Sequence, residues 1–267
     1  MRREAGARRL PVRPWLRSAR RAGAAALLWL TASALPAAGA ETRRCIEGGG
    51  QYPAKACYTG NPEQAPYGHG VLGRTPEWQR LVIFRPRGGQ QEISQPDHIF
   101  EDTAPRLADV TGDGRPEILA VQSSFSLGAR LVIYGLEGGP EPLAATPYIG
   151  RRNRWLAPVG AADLDGDGHV EIAYVDRPHL AKVLRIWRFK EGALTEVASL
   201  PGVTNHQIGQ EVITAGLRAC GAGPELLLVS ADWRRIVAVR LAGGEAVARE
   251  VGPFRAEKGL SGALACP

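Results

Sequence analysis

The chain has 267 residues, with 33 Lys and Arg against 27 Asp and Glu, a formal net charge of +6. Eight arginines and a single glutamate fall in the first forty residues, which leaves the remainder near neutral at −1. The basic balance therefore gives no case for nucleic-acid binding, and the remaining 227 residues are ample for one domain with a sizeable core.

Residues 1–40 read as a secretory signal. The arginine-rich start is followed by an apolar run, Ala22 to Leu35, and the small-residue stretch Pro36-Ala-Ala-Gly-Ala40. At fourteen residues the run is shorter than the ~20 that span a bilayer, and no later segment supplies a span. The mature chain is thus expected outside the cytoplasm, periplasmic or extracellular. Its four cysteines, Cys45, Cys57, Cys220 and Cys266, suit two disulfides in an exported protein. Proximity favours Cys45–Cys57, closing an N-terminal segment over 41–57, and Cys220–Cys266.

From residue 58 to 267 the pattern is repetitive. Asp109-Val-Thr111-Gly-Asp113-Gly-Arg115-Pro-Glu117 and Asp163-Leu-Asp165-Gly-Asp167-Gly-His169-Val-Glu171 align without a gap at a spacing of 54. A third copy, Leu217–Glu225, keeps the turn and has lost the other carboxylates. Four strand-like runs, Leu81–Phe84, Leu131–Tyr134, Leu184–Trp187 and Ile236–Val239, recur at spacings of 50, 53 and 52, each followed by a glycine turn. A third marker precedes each loop: Pro105–Asp109, Pro158–Asp163, Val212–Gly216 and finally Leu260–Ala265. Four short strands in ~50 residues is the size of a propeller blade. The expected fold is all-β, a β-propeller of about four blades over roughly 58–110, 111–164, 165–218 and 219–267. A five-bladed or open ring stays open as an alternative.

These loops and their spacing resemble the FG-GAP, or VCBS-type, repeat of integrin α-chain propellers and bacterial exported proteins. Calcium takes six to eight oxygens, which alternate carboxylates can supply when glycine lets the chain turn around the ion. Two structural Ca²⁺ sites are expected. Asp163, Asp165, Asp167, the His169 carbonyl and Glu171 form one; Asp109, the Thr111 hydroxyl, Asp113, the Arg115 carbonyl and Glu117 form a second, weaker one. An EF-hand is excluded, because its twelfth position is Ala120 or Tyr174 here and the residues that follow are strand-like.

The 54-residue register also places His98, Arg152 and His206 at equivalent positions. With Asn153, Trp155 and Asn205 they are expected to line a ligand face. No nucleophile elbow, phosphate loop or zinc-protease motif occurs. A non-enzymatic scaffold binding a protein or glycan is the favoured reading, and a propeller-type hydrolase with a site on one face is the alternative.

Overall fold

The computed structural model describes residues 42–48, 55–64, 67–135, 141–221 and 223–266. The expected export signal, 1–40, lies outside them. Strands fall into four consecutive antiparallel sheets. The first is β1 (Thr42–Glu47), β2 (Lys55–Gly60), β3 (Arg80–Phe84) and β4 (Gln90–Ile93) in that order. In the second, β5 (His98–Phe100) and β6 (Arg106–Ala108) both pair with β7 (Glu117–Ser124), which continues to β8 (Gly128–Tyr134) and β9 (Ala144–Ala145). The third is β10 (Leu156–Ala162), β11 (Glu171–Asp176), β12 (Val183–Lys190) and β13 (Ala193–Pro201). In the fourth, β14 (Val203–Thr204) and β15 (Gly216–Ala219) both pair with β16 (Pro224–Ser230), followed by β17 (Arg235–Ala242) and β18 (Glu245–Pro253). A short helix, α1 (Ser261–Leu264), ends the described chain.

The sheets stack as propeller blades, and strand alternation explains how. On β7, Ile118 and Ala120 face the cluster shared with the first blade, around Tyr58, Trp78 and Leu81. Leu119 and Val121 face the cluster shared with the third blade. On β11, Ile172 and Tyr174 point one way, Ala173 and Val175 the other. On β16, Leu226 and Leu228 pack toward the third blade, while Leu227 and Val229 face the chain's C-terminal segment. A strand buried on both faces reads as a continuous apolar run rather than an alternating one, and each fully buried Leu or Ile contributes about 1.5–3 kcal/mol. The outermost strands β13 and β18 hold only exposed and half-buried residues. Ile46, Leu107 and Gly160 of the strands β1, β6 and β10 line a cavity of about 240 Å³.

Three expectations change. Thr42–Glu47 and Lys55–Cys57 are part of the first blade rather than a separate segment, because β1 and β2 pair through Cys45↔Cys57 and β2 continues onto β3. The blade boundaries also shift. The marker strands β6, β10 and β15 pair forward with β7, β11 and β16, so the Asp loops join strands within a blade instead of linking blades. The last marker is α1 rather than a strand. Leu260 and Ala263 cover the outer face of the fourth blade, and Arg218 Nη1 donates to the Ala263 carbonyl at 2.6 Å. Among the described residues the last face of the fourth blade is covered by the C-terminal segment, and no core cluster joins that blade to the first. Both disulfides form as expected, Cys45–Cys57 and Cys220–Cys266.

One connection crosses the blades. The loop Tyr67–Glu77, between β2 and β3, reaches the segment Asn205–Ile213: Gly209 N donates to the Val71 carbonyl at 3.0 Å, and Arg74 pairs with Glu211 at 2.7 Å. Val71 and Leu72 pack with Trp155, Leu156 and Ile213. The loop closes one end of the arrangement.

Candidate functional sites: two acidic loops and a histidine cluster

The two acidic loops share one hydrogen-bond frame. Asp109 Oδ1 accepts from Gly112 N and Asp113 N, and its Oδ2 from Gly114 N. Asp163 does the same with Gly166, Asp167 and Gly168. Asp113 accepts from Arg115 N, and Asp167 from His169 N. Glu117 and Glu171 are buried at the far end, where each accepts from the N–H of the second loop residue, Val110 or Leu164. Those two apolar side chains plug into the clusters between blades, which anchors the loops. Gly168 has φ +86°, the left-handed backbone that the turn requires.

The loops differ in their charge. Oxygens of Asp163, Asp165 and Glu171 lie within 4.8 Å of one another, the one such acidic group among the described residues. In the first loop Thr111 replaces Asp165, and its hydroxyl donates to Glu117 at 3.2 Å. The second loop also has a cation the sequence reading missed. Arg188 lies directly across the sheet from Glu171, bonding its Oε1 at 2.6 Å, Asp167 at 3.0 Å and also Asp165. The equivalent partner of Glu117 is beyond the end of β8, where Gly135 stands. In the degenerate third loop the substitution is complete: Arg218, Arg240 and Arg249 surround Glu225. Burial pushes the Glu117 and Glu171 carboxyls above the usual range, opposed by backbone N–H groups and, at Glu171, by Arg188.

The second site lies where the Tyr67–Glu77 loop meets the blades. Five of the six expected ligand-face residues converge here. Arg152 donates to the Tyr67 carbonyl at 2.6 Å with its guanidinium over the Tyr67 ring, and Asn153 N donates to the Tyr67 hydroxyl at 2.6 Å. Buried Trp155 donates its Nε1–H to the Glu101 carbonyl at 2.7 Å, stacks on His179 and meets His206 edge-on. Asn205 donates to the carbonyls of Ala157 and Pro158, while its buried Oδ1 has no partner among the described residues. His206 Nε2 bonds the Gln210 carbonyl and its Nδ1 bonds His179 Nε2, both at 2.9 Å.

His98 is the exception. It bonds Asp97 and Tyr148 and joins none of these contacts. The linear register fails because the inner strands are interrupted differently. Phe100 pairs with Gln122, whereas Val203 pairs with Ser230, and a longer segment, Asn205–Ala215, intervenes before β15. His98 is paired within β5, opposite Ser124, whereas His206 lies beyond the end of β14.

Sequence reasoning missed the other half of the cluster. His69 Nδ1 bonds Glu101 Oε1 at 2.6 Å, and Ser123 Oγ donates to Glu101 Oε2 at 2.7 Å. Glu77 accepts the backbone N–H of Tyr67, Gly68, His69 and Gly70, which fixes this glycine-rich turn. His69, Asn153, Trp155, Arg177 and His179 line a cavity of about 20 Å³. Burial raises the Glu101 carboxyl, with His69 opposing it. Burial, with the charges of His206 and His69 adding, pushes His179 down to about 4, and burial also lowers His206. Of these residues only His179 had a usable sequence signal: Phe125, His179 and Trp233 repeat at spacings of 54 in the turns between second and third strands.

Among known proteins, the FG-GAP-like repeat family matches residues 109–174, the span of both acidic loops and the strands between them. No curated protein sequence matches the chain. Among solved structures, the exotype rhamnogalacturonan lyase YesX aligns over 77% of this chain at 14% identity and a TM-score of 0.39. The chain spans about half the length of that structure, 49%. The chain thus carries an FG-GAP-like repeat over residues 109–174, set in stacked antiparallel sheets of four and five strands.

Proposed function

We propose that the protein is an exported, calcium-stabilised propeller scaffold that binds a protein or glycan. The observation that carries the calcium reading is the identical frame of the two loops. Backbone N–H groups orient Asp109 and Asp163 in the same way, and hard oxygen donors gather at each turn. Asp163, Asp165, Asp167, the His169 carbonyl and Glu171 would hold one ion; Asp109, Thr111, Asp113, the Arg115 carbonyl and Glu117 would hold the other. The donor chemistry fits a hard divalent cation. The guanidinium of Arg188 on three of these carboxylates reflects the same demand for positive charge. Bound calcium would cross-link the hairpins β6–β7 and β10–β11. Two disulfides favour an oxidising compartment. Among the described residues no helix is long and apolar enough to cross a membrane.

Calcium titration calorimetry on the metal-stripped protein tests the reading. Two sites are expected, with Asp109→Asn and Asp163→Asn each removing one; unchanged stoichiometry in both variants would refute it. For the partner face, Leu180, Ile208 and Val212 are each more than 60% exposed on the turns that build the histidine cluster, and exposed apolar side chains gathered on one surface suit a docking partner. Arg152→Ala with His206→Ala should abolish capture of that partner by the immobilised protein, and undiminished capture counts against this face. The alternative, a propeller-type hydrolase, draws on the His69–Glu101 pair. It requires turnover of a polymer that His69→Ala abolishes.

A further inference from the structure

The histidine cluster holds two imidazoles whose hydrogen-bond chains leave one lone pair each. The Gln210 carbonyl can only accept, so His206 Nε2 carries the proton and His206 Nδ1 accepts. His179 Nε2 must then donate to it, which leaves His179 Nδ1 as a lone pair. At the other end, the Glu101 carboxylate accepts from Ser123 Oγ and from His69 Nδ1, which leaves His69 Nε2 as a lone pair. Among the described residues no side-chain hydrogen bond engages His69 Nε2 or His179 Nδ1, the His179 ring also approaches the His206 backbone, and both residues line the same water-sized cavity.

We propose that this cavity is a metal site independent of the acidic loops, in which His69 Nε2 and His179 Nδ1 hold a divalent transition-metal ion of the zinc and copper class. Imidazole nitrogen suits those ions, whereas calcium demands oxygen. Metal-binding histidines characteristically give their other N–H to a carboxylate, carbonyl or similar acceptor, which fixes tautomer and ring orientation. His69 has Glu101 for this purpose, and His179 has His206. The surroundings hold both rings in place. Glu77 pins the turn that carries His69, and Trp155 stacks on His179. Arg177 lines the cavity but is neutralised by two bonds to buried Asp176, at 2.7 and 3.0 Å. Asn153 and Arg177 both adopt left-handed backbone, φ +61° and +45°, beside the cavity. Strain of that kind in non-glycine residues collects at functional sites. Two protein ligands leave positions for water or for a group of the bound partner.

The test is Zn²⁺ calorimetry on untagged protein in excess Ca²⁺, so that the acidic loops do not compete. One Zn²⁺ site is expected. His69→Gln and His179→Gln should each abolish it, and Glu101→Gln should weaken it about 10–100-fold. The double variant Asp109→Asn, Asp163→Asn should leave it unchanged, which separates this site from the calcium reading. Cu²⁺ electron paramagnetic resonance of the parent protein covers the case in which a histidine variant fails to fold. Coupling to two imidazole nitrogens supports the site. Absence of Zn²⁺ binding, binding indifferent to both histidines, or oxygen-only Cu²⁺ coordination would overturn it.

Discussion

Glu225 shows what the repeat does where the other acidic residues of its loop are gone, and Glu225→Ala tests that reading. Its side chain has no exposed surface. Arg218 bonds Oε2 through Nε and Nη2 at 2.9 and 2.8 Å, Arg240 bonds Oε1 at 2.7 Å, and Arg249 reaches both oxygens. The three guanidiniums are not equivalent, because Arg240 and Arg249 are 36% and 52% exposed and can turn to water. Arg218 is 5% exposed and is tied to the Ala263 carbonyl, so removing Glu225 strands a buried cation. Breaking a buried pair in this way costs about 3–5 kcal/mol, a fall in Tm of about 6–20 °C for a domain of this size. Thermal unfolding followed by circular dichroism at neutral pH reads it. The double variant Glu225→Leu, Arg218→Met should recover most of the loss, since both charges then leave together. Burial alone would raise the Glu225 pKa, but Arg218 and Arg249 outweigh it and hold the carboxyl below its usual range. Its stabilisation is therefore complete above that range and is lost as pH falls below about 4. Parent and variant should converge in acid. A Tm for Glu225→Ala within about 2 °C of the parent's at neutral pH would refute the reasoning.

Arg188→Gln should raise the calcium affinity of the Asp163–Glu171 loop by about five- to tenfold, because a partly exposed guanidinium worth about 1 kcal/mol no longer competes; calorimetry would show it. Gly73→Ala places a Cβ against the Gly209 carbonyl at φ +63°. It should cost about 2–3 kcal/mol through backbone strain and the lost bond to Val71, with faster amide exchange across Tyr67–Glu77. Replacing Cys220 and Cys266 together by Ser frees a 46-residue separation and should cost about 4 kcal/mol in urea unfolding, against about 3 kcal/mol for the 12-residue Cys45–Cys57 link.

The repeat was legible because a gapless 54-residue spacing needs no tertiary information: Asp109 and Asp163 announce it, and Leu131–Tyr134 and Leu184–Trp187 fall inside β8 and β12. The phase of the blades was not legible. Pro105–Asp109 has the composition of a strand whichever neighbour it pairs with, and only the pairing Leu107↔Ile118 assigns it forward. Arg188 was within reach, since the antiparallel β11–β12 pairing brings it opposite Glu171. His69 was not. It belongs to a non-repeating turn whose contacts with Glu101, Arg152 and Gly209 join segments 32 or more residues apart, and no local pattern encodes such a crossing.

The proposed function has calcium stabilising this repeat through Asp109–Glu117 and Asp163–Glu171. Thermal unfolding in Ca²⁺ and in excess chelator tests it most directly, because a ligand bound only by the folded state stabilises by mass action. At free calcium 1,000 times the dissociation constant each site should add about 4 kcal/mol, or about 8–16 °C in Tm. Asp163→Asn and Asp109→Asn should each remove part of that increment. Coincident unfolding curves in calcium and in chelator would contradict the account.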